Sequence, residues 1–435
     1  MVFFHIGFDD TDSLKSGCTT YVAALLIEKL AKEAIFVDYP NLIRLNPNIP
    51  WKSRGNAAVC LRIESKRSIE EIIEIATFVV EENRDREDPK NQPGIAVLEG
   101  EVPLVIKEFG KKALYDVLSL EGAVQLSAQA GIVYRLIKGG RGLVGAIAAI
   151  GNTLEMDHTF ELAVYRKKSL WGKRRQVDLD SVIKMDKDTA PFTFNNFDYE
   201  KERVLITPHG PDPILFGIRG ENPAILLKAF NEVKFEGGER WAMYRSNQGT
   251  DAHLICKPKV NELKPFQAAV VEGIVTTGPQ IIIGGHVILS ITDGTAEVDV
   301  AAYEPSGGFR MVVNSLRVGD MVKVYGGVRS LGERKLTFNL EKLEVVDLAE
   351  DEERNPLCPY CNKRMKSEGK DKGYQCKKCG KKFSKTIFEK VNRELKERIY
   401  LPPSRAMRHL TKPMQRYGME KCNWDGDVRS FYGIF

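Results

Sequence analysis

The chain has 435 residues, 43% of them hydrophobic, and a formal net charge of +5. This length predicts about three domains, and the hydrophobic share is typical of a globular protein. No stretch reaches the roughly 18 apolar residues that a membrane span needs, and the N-terminus lacks the features of a signal peptide. We therefore expect a cytoplasmic protein with no membrane partner.

The charge is unevenly distributed along the chain. Residues 356–435 contain 20 Lys and Arg against 8 Asp and Glu, so the rest of the chain is acidic. A basic segment on an acidic body favours a polyanionic partner such as a nucleic acid. The alternative is a solvated charged surface.

In the first segment, residues 1–130, short apolar runs typical of strands alternate with stretches whose apolar residues recur at helical spacing. The predicted strands are VFFHIGF, NAAVCLRIE and GIAVLEG. The predicted helices are TTYVAALLIEKLAKEA, SIEEIIEIATFVVEEN and EVPLVIKEFGKKALYDVLS. This pattern predicts an α/β domain.

The second segment, residues 131–258, divides into two similar halves. YRLIK, GLVGAIAAIG and TFELAVYR form one predicted strand–helix–strand unit, and RVLITP, NPAILLKAFNEV and RWAMYRSNQ form the other. Two such units predict a ferredoxin-like α+β domain.

Residues 266–348 form an all-β segment that follows the linker KPKVNELKPF. Its five predicted strands are AAVVEGIVTT, HVILSITD, AEVDVAAY, DMVKVYGGV and KLTFNLEKLEV. A short insert between the third and fourth strands favours an OB-fold barrel, which commonly binds single-stranded nucleic acid. Another type of small barrel is the alternative.

Residues 355–385 contain the most specific motif of the chain. CPYC and CKKC provide Cys358, Cys361, Cys376 and Cys379. Two such turns bring four thiolates together. Four thiolates form a tetrahedral site, which is the coordination that Zn²⁺ prefers. A closed shell of four thiolates predicts a structural zinc ribbon.

Residues 386–435 form a basic C-terminal tail in which NRELKERIY is a predicted helix. Tyr400, Tyr417, Trp424, Phe431 and Tyr432 lie among its positive charges. Basic groups neutralise phosphates and aromatic faces stack on bases, so this mixture favours RNA binding. The alternative is that the aromatic side chains pack the tail onto the body.

The stretch GFDDTDSLKSGCTTY follows the first predicted strand. Asp9, Asp10 and Asp12 would repel one another unless a cation offsets their charge, and Mg²⁺ suits one or two carboxylates together with substrate phosphates. A helix predicted to begin near Thr19 and Thr20 would present free N–H groups to an anion. This arrangement predicts a nucleoside triphosphate site. The alternative is an ordinary turn with an N-cap.

Four further segments are polar and rich in Gly or Pro. They are RLNPNIPWKSRGNAAV, KGGRGLVG, PHGPDPILFGIRG and RSNQGTDAH. Polar loops on a compact scaffold commonly carry function. No P-loop lysine motif or protein-kinase signature occurs, so ATP would be bound in another way.

Together these motifs resemble one archaeal family, the tRNA-isoleucine 2-agmatinylcytidine synthetases. The resemblance rests on GFDDTDS, GCTT, RLNPNIPWKSRGN, PHGPDPILFGIRGE and RSNQGTDAHL, followed by the OB-fold and zinc-ribbon segments. It implies a kinase-like domain, a ferredoxin-like domain, an OB-fold and a zinc ribbon. The tail beyond Lys385 matches least well.

The resemblance implies an ATP-dependent ligase. Phosphorylation turns the oxygen on C2 of a wobble cytidine into a leaving group, and the primary amine of agmatine displaces it. ATP would be cleaved to AMP and phosphate. The product would make an isoleucine tRNA read AUA instead of AUG. The cofactors would be ATP, Mg²⁺ and structural Zn²⁺, and the target base would be flipped out of the anticodon loop.

The resemblance also implies roles for individual residues. Asp9, Asp10, Asp12 and Thr19 would be catalytic, with Thr19 the phosphorylated threonine and Asp9 and Asp12 the magnesium ligands. The expected ATP-binding residues are Thr20, Arg44, Lys52, Arg54, Gly55, Asn56, Arg141 and Gly142. The agmatine candidates are His209, Asp212, Asn247 and Asp251, because a guanidinium and an amine call for carboxylate, carbonyl or aromatic partners.

Two hypotheses from other classes remain open at this stage. The protein could be a non-catalytic single-strand binder that works through its OB-fold and zinc ribbon. It could instead be a metal-dependent nucleotide phosphohydrolase, whose ATP turnover would not depend on tRNA or agmatine.

Overall fold

The structure is a computed structural model that describes residues 1–331, 335–349, 351–369, 372–384, 387–390, 393–424, 426 and 428–435. Its first part has the elements β1 (Val2–Asp9), α1 (Thr19–Leu30), β2 (Ala34–Phe36), β3 (Asn41–Arg44), β4 (Ala57–Ser65), α2 (Ile69–Asn83), β5 (Gly94–Glu99), α3 (Leu104–Lys112), α4 (Leu120–Ala130), β6 (Val133–Leu136) and α5 (Gly142–Gly151).

These elements form an α/β layer in which β1, β3, β4 and β5 are mostly buried, whereas the edge strands β2 and β6 are partly exposed. β1 lies between β4 and β5 and is antiparallel to both. The helices α1 and α2 pack on one face of the sheet, and α3, α4 and α5 pack on the other. Apolar side chains therefore face both ways along β1, which explains why VFFHIGF reads as a continuous apolar run. This arrangement confirms the predicted α/β class.

The second part contains β7 (Thr159–Arg166), α6 (Leu179–Thr189), β8 (Thr193–Phe194), β9 (Phe197–Asp198), β10 (Arg203–Val204), β11 (Ile214–Gly220), α7 (Pro223–Glu232) and β12 (Gly238–Ser246). β7 lies between β11 and β12, antiparallel to both. α6 and α7 cover one face of these strands.

The predicted division of this region into two similar strand–helix–strand units is wrong for the first unit. β6 pairs with β5, and α5 packs on β1, β4 and β5, so both belong to the N-terminal sheet. α6, which we did not predict, takes the place of α5 in the second layer. Ile214–Gly220, expected to continue a loop, is the strand β11, which pairs with β7 and β8. The residue limits of the domains stay predictions.

The two parts share one continuous sheet. β3 and β12 pair in parallel through Arg245 with Asn41 and Ser246 with Leu42. Across this seam the buried Arg245 guanidinium bonds to the buried Asp38 carboxylate. Burial of a paired charge of this kind strongly disfavours separation of the two parts, because either partner alone would be left uncompensated. The seam therefore fixes the loops of both halves relative to each other.

The barrel consists of β13 (Ala268–Ile281), β14 (Val287–Thr292), β15 (Glu297–Ala302), α8 (Gly308–Asn314), β16 (Met321–Leu331) and β17 (Lys335–Asp347). A parallel pairing between β15 and β17 closes it. The helix α8 occupies the predicted insert between the third and fourth strands. The five-stranded closed barrel confirms the predicted OB-fold.

Beyond the barrel, β18 (Asp351–Arg354) pairs with β22 (Ile387–Lys390). Between them β19 (Lys366–Ser367), β20 (Tyr374–Gln375) and β21 (Lys382–Phe383) form a small three-stranded sheet. Residues 393–398, part of the predicted helix NRELKERIY, are not helical and lead to β23 (Ile399–Tyr400). The other part of that prediction, residue 392, lies outside the described residues.

The last residues, 401–435, return to the body, and we call them the C-terminal segment. Its final strand β24 (Tyr432–Ile434) pairs with β12. Trp424 and Phe431 pack in the core formed by β7, β11 and α7. The expectation that these aromatic residues stack on RNA bases is therefore wrong for Trp424 and Phe431. None of the helices in the described residues is both long and apolar enough to span a bilayer.

Candidate active site

A cleft of about 510 Å³ opens where the ends of β1, β3 and β11 approach one another. The sequence segments that form it are far apart along the chain. They lie within residues 9–20, 44–57, 113–118, 141–145, 203–214 and 404–409, together with Asn195, one residue of β7 and further residues of β11. The cleft gathers every predicted catalytic and ATP-binding residue. These are Asp9, Asp10, Asp12, Thr19, Thr20, Arg44, Lys52, Arg54, Gly55, Asn56, Arg141 and Gly142.

Asp9 and Asp10 are two adjacent carboxyl groups whose surroundings disfavour their charged form. The Asp9 carboxylate accepts a 2.7 Å hydrogen bond from the Asp10 amide, and the Asp10 carboxylate accepts one from the Gln92 amide. Burial, with the Asp10 carboxylate nearby, raises the pKa of Asp9 well above its usual value. Burial and Asp12 raise the pKa of Asp10 to about 6. Two carboxyl groups that resist ionisation are typical of a site that receives a cation.

Asp12 has a different environment from the other two carboxylates. Its oxygens accept hydrogen bonds from the Ser53 hydroxyl at 2.7 Å and from the Arg54 Nε at 2.9 Å. Arg54 also reaches the Asp212 carboxylate at 3.2 Å and the Gly17 carbonyl. Arg54 therefore connects the N-terminal loop to the loop before β11, which is across the seam.

The helix α1 begins at the inner wall of the cleft. Thr19 is only 6% exposed, and its hydroxyl oxygen accepts a 3.2 Å hydrogen bond from the Thr11 hydroxyl. The Thr20 hydroxyl lies 3.1 Å from the Cys18 sulfur, and the Cys18 side chain does not cap the helix. The first N–H groups of α1 consequently have no side-chain cap and are available to an anion in the cleft.

The glycines of KGGRGLVG serve close packing. A Cβ on Gly142 would lie 2.5 Å from the Asp9 carbonyl oxygen, and one on Gly145 would lie 1.9 Å from the Asp9 carboxylate. Gly94 faces the same helix, and a Cβ there would lie 1.9 Å from the Leu143 nitrogen. Only glycine allows α5 to lie against the end of β1, so Gly142 acts by bringing the α5 N-terminus to Asp9.

The floor of the cleft contains two arginines that share one carboxylate. Glu161 on β7 lies 3.9 Å from Arg44 and 3.8 Å from Arg219, and it also accepts from Gln248. The Nε atoms of both arginines are buried without a hydrogen-bond partner among the described residues. One carboxylate neutralises only one of the two guanidinium groups, so the pair of arginines keeps one net positive charge. Burial lowers the pKa of Arg44 to about 10. This surplus favours an anionic ligand such as a phosphate.

Sequence reasoning missed several residues of this cleft. Glu161 lies on a strand that reads as core, where a single charged residue gives no signal of function. Arg219 lies within PHGPDPILFGIRG, which we read as a functional loop without singling out this residue. His409 comes from the C-terminal segment, and its imidazole lies beside Gly55. Arg44, burial and Arg219 hold the pKa of His409 well below its usual value, so the ring is neutral.

Two agmatine candidates, Asp212 and His209, lie in the cleft, and their surroundings differ. Asp212 is 3% exposed and pairs with Arg54 and with Arg175, each at 3.2 Å. With both oxygens so engaged, Asp212 positions the two arginines and is poorly suited to bind a further guanidinium. His209 lines the opening of the cleft and forms no ion pair with any described residue.

The other two candidates, Asn247 and Asp251, do not line the cleft. Asn247 receives a hydrogen bond from the Arg44 amide at 2.8 Å and donates to the Arg44 carbonyl at 2.9 Å. Asp251 bonds to the Lys342 ammonium of the barrel and to the Lys412 amide. Both side chains therefore have partners within the protein, and their role as agmatine contacts stays a prediction. Asn247 holds β3 beside β12, and Asp251 holds the barrel and the C-terminal segment to the body.

The four cysteines of the ribbon lie together as predicted. Among the described residues, Cys358, Cys361, Cys376 and Cys379 are the only group of three or more ligating side chains whose ligand atoms all lie within 4.8 Å of one another. Cys358 and Cys376 are buried with Met365 in a core of their own. Four convergent thiols fit a tetrahedral Zn²⁺ ion. Asp9, Asp10 and Asp12 are not preassembled in this way.

The fold and the two sites define a nucleic-acid-binding enzyme with a phosphate-binding cleft. Four family models match the chain: the TiaS TCKD domain (residues 5–68), the TiaS FLD domain (140–253), the OB-fold nucleic acid binding domain (269–346) and the TiaS C-terminal zinc ribbon domain (355–395).

Relatives that match over nearly their whole length agree with these domain matches. The isoleucine-tRNA 2-agmatinylcytidine synthetase TiaS of Methanocaldococcus jannaschii is 43% identical over 95% of this chain and 99% of its own length. The Pyrococcus horikoshii protein of the same name is 42% identical over 95% of this chain and 97% of its own length. The chain belongs to the isoleucine-tRNA 2-agmatinylcytidine synthetase family.

Solved structures show the same architecture. The complex of TiaS with its isoleucine tRNA and ATP has a TM-score of 0.84 and 38% identity, covering 98% of this chain and 99% of that one. The complex of TiaS with the same tRNA, AMPCPP and agmatine has a TM-score of 0.83 and 37% identity with the same coverage. The resemblance seen in the sequence motifs is thereby confirmed over nearly the whole chain.

Proposed function

We propose that this chain is an ATP-dependent ligase that joins agmatine to C2 of the wobble cytidine of an isoleucine tRNA. The observation that carries the proposal is the single cleft that unites the Asp9–Asp12 loop, the uncapped start of α1 and a surplus of arginine. The family membership and the relatives' names support the substrates. A tRNA substrate also makes the cytoplasm the proposed location.

The reaction needs an activated oxygen, since the C2 oxygen of cytosine is a poor leaving group. A phosphoanhydride bond of ATP breaks, the rest of the nucleotide leaves with the bonding electrons, and the transferred phosphoryl group forms an O–P bond to the C2 oxygen. The agmatine nitrogen then forms a bond to C2, the C2–O bond breaks, and phosphate leaves with the oxygen. The amine nitrogen loses its protons to solvent or to a nearby acceptor. Positioning and charge stabilisation are the main contributions a protein makes to such transfers.

The cleft places positive groups where developing phosphate charge would lie. We infer that the free N–H groups of α1 and the guanidinium of Arg44 contact the triphosphate, together with Arg141, which stacks over Trp51 at 5.1 Å. Lys52, Gly55 and Asn56 line the same wall. The hydroxyl of Thr19 opens to this space, which supports its proposed role as a phosphate acceptor.

Mg²⁺ is the proposed counterion of the carboxylates. Asp9 fits this role, because its buried carboxylate receives one amide hydrogen bond and no ion pair among the described residues. Asp10 is similar and lies next to it. Asp12, already bound by Arg54 and Ser53, would contribute only if it exchanged one of these partners. When bound, the cation offsets phosphate charge during transfer.

The agmatine site is proposed to lie on the His209 side of the cleft. There the walls come from residues 205–209 and 404–408, and Asp116 is a further carboxylate that lines the cleft. His209 remains the proposed contact of agmatine. The guanidinium end of agmatine would need such a carboxylate or carbonyl partner.

The test is transfer of radiolabelled agmatine to purified isoleucine tRNA by the full-length protein with ATP and Mg²⁺. We expect incorporation that requires all four components. ATP turnover that is unchanged without tRNA or agmatine would favour a phosphohydrolase, and tight tRNA binding without incorporation would favour a binder with no catalytic role.

A further inference from the structure

A second concave site lies beside the cleft and has no role in the account above. It has a volume of about 540 Å³ and shares three wall residues with the cleft, namely Thr207, Pro208 and His209. The rest of its wall comes from residues 172–175, 177, 204, 210 and 211. Since the two cavities share a wall, an extended ligand bound in one cavity would pass the opening of the other.

One side of this outer pocket is the loop KKSLWGKRR, residues 167–175, which is firmly attached to the body. The Trp171 indole donates to the Arg166 carbonyl at 3.2 Å and packs edge-on against Tyr21 at 5.3 Å. Arg175 donates to the carbonyls of Ile214 at 2.8 Å and Gly210 at 2.9 Å. The loop is therefore a fixed part of the surface, and its remaining side chains project from a defined position.

Those remaining side chains are basic and have no counterion among the described residues. Lys167, Lys168, Lys173 and Arg174 are exposed, and within the described part of the chain no carboxylate lies within the 4.0 Å of an ion pair from any of them. By contrast, the Arg175 charge is offset by Asp212 at 3.2 Å. Lys173 and Arg174 line the outer pocket, and Lys167 and Lys168 lie on the same loop outside its wall. Exposed cations grouped in this way attract a polyanion.

We propose that this outer pocket binds backbone phosphates of the tRNA strand next to the nucleotide that enters the cleft. The inference rests on the proposed function. A flipped nucleotide that enters the cleft brings its neighbouring phosphates near the wall shared by the two cavities, and Lys173 and Arg174 line the outer pocket that shares this wall. Contacts of this kind position an RNA strand without reading its sequence. The triphosphate of ATP is the other anion of this reaction, and the test separates the two.

The experiment compares two double variants of the full-length protein. Lys173→Gln with Arg174→Gln removes two charges from the pocket. Lys187→Gln with Lys228→Gln removes two charges from exposed residues of α6 and α7, outside the pocket. Affinity for isoleucine tRNA is measured over a range of salt concentrations for the unaltered protein and both variants. The KM for ATP is measured for the same three proteins. Agmatine incorporation is measured for the unaltered protein.

We expect the pocket variant to bind tRNA about 10-fold more weakly at low salt, with the slope of log K against log salt reduced by about 1.4 for two lost contacts to a single strand. The control variant and the KM for ATP should not change. An unchanged slope, an equal loss in both variants, or a raised KM for ATP with normal tRNA binding would each overturn the proposal.

Phosphorothioate footprinting gives an independent readout of position. The unaltered protein should protect phosphates flanking the wobble nucleotide, and the pocket variant should lose that protection while keeping contacts elsewhere. Protection that persists in the pocket variant would also overturn the proposal. Failure of the proposed function is seen separately, as absence of agmatine incorporation by the unaltered protein.

Discussion

The zinc ribbon and the C-terminal segment are both rich in lysine and arginine, but their charges have different surroundings. In the ribbon, Lys377 and Lys382 share the Glu368 carboxylate and remain more than half exposed. In the C-terminal segment, Arg416 is fully buried and bonds to Asp157 and Glu221. A count of charges along the sequence cannot separate these cases, because it contains no information on the partners.

The partners of the C-terminal segment belong to the acidic body. Arg405 pairs with Asp198 and Glu200, and Arg408 pairs with Glu341 of the barrel at 2.9 Å while it lines the cleft. The expected basic RNA-binding tail is thus largely a structural element that closes the cleft and joins the barrel to the body. The ribbon keeps its exposed lysines and remains a candidate RNA contact.

The largest effect should follow from breaking the zinc site. Cys376→Ser removes one of four ligands, and the small core of the ribbon, Cys358, Met365 and Cys376, offers little to hold the fold without metal. We expect loss of bound zinc and weaker tRNA binding, with nucleotide binding in the cleft unchanged. Metal analysis and ATP-binding measurements check this. The matched control is Cys422→Ser, an exposed cysteine outside the ribbon, and full zinc retention in the Cys376 variant would refute the site.

The next effect should come from the buried arginine of the C-terminal segment. Arg416→Ala removes the buried partner of Asp157 and Glu221, which keep only the less buried Lys412 and Lys421. Loss of one member of a buried ion pair costs about 3–5 kcal/mol, and we expect a value near the lower end of this range. Urea unfolding should show this loss of stability. Lys363→Ala in the ribbon removes an equal charge that is exposed, and should change stability by less than about 0.5 kcal/mol. Equal effects of the two substitutions would contradict the distinction drawn between the two regions.

A smaller, pH-dependent effect should come from His158, which packs against Trp424 of the C-terminal segment at 6.2 Å. Burial, with Arg245 nearby, lowers the pKa of His158 to about 4 from its ordinary 6.5. The unfolded chain therefore binds more protons between these values, and stability falls as the pH falls from 6.5 towards 4. The loss should amount to about 1–3 kcal/mol.

The measurement is the unfolding free energy at pH 7 and pH 4.5 for the unaltered protein and for His158→Phe. His5 is also buried and its pKa is lowered to about 3, so it contributes to the same window, and the difference between the two proteins isolates His158. His286→Phe on the barrel serves as the control. An identical pH dependence of all three proteins would be inconsistent with a neutral, buried His158.

Local patterns predicted the parts of this structure that local forces determine. The helix beginning at Thr19, the five barrel strands and the four cysteine ligands each have a signature within a short stretch. The parallel pairing of β3 with β12 has none, because the paired residues are about two hundred positions apart. Consequently the sequence could not show that Asp212 would be bound by Arg54 and Arg175, or that His409 would enter the cleft.

The central claim is that Asp9, at the end of β1, serves nucleotide-dependent transfer of agmatine. The most direct test is incorporation of radiolabelled agmatine into isoleucine tRNA by Asp9→Asn, which keeps the acceptor for the Asp10 amide while removing the charge. Asp180→Asn, an exposed acid at the start of α6, is the matched control. We predict a loss of at least about 100-fold for Asp9→Asn with tRNA affinity retained. Incorporation at the level of the control would contradict the account.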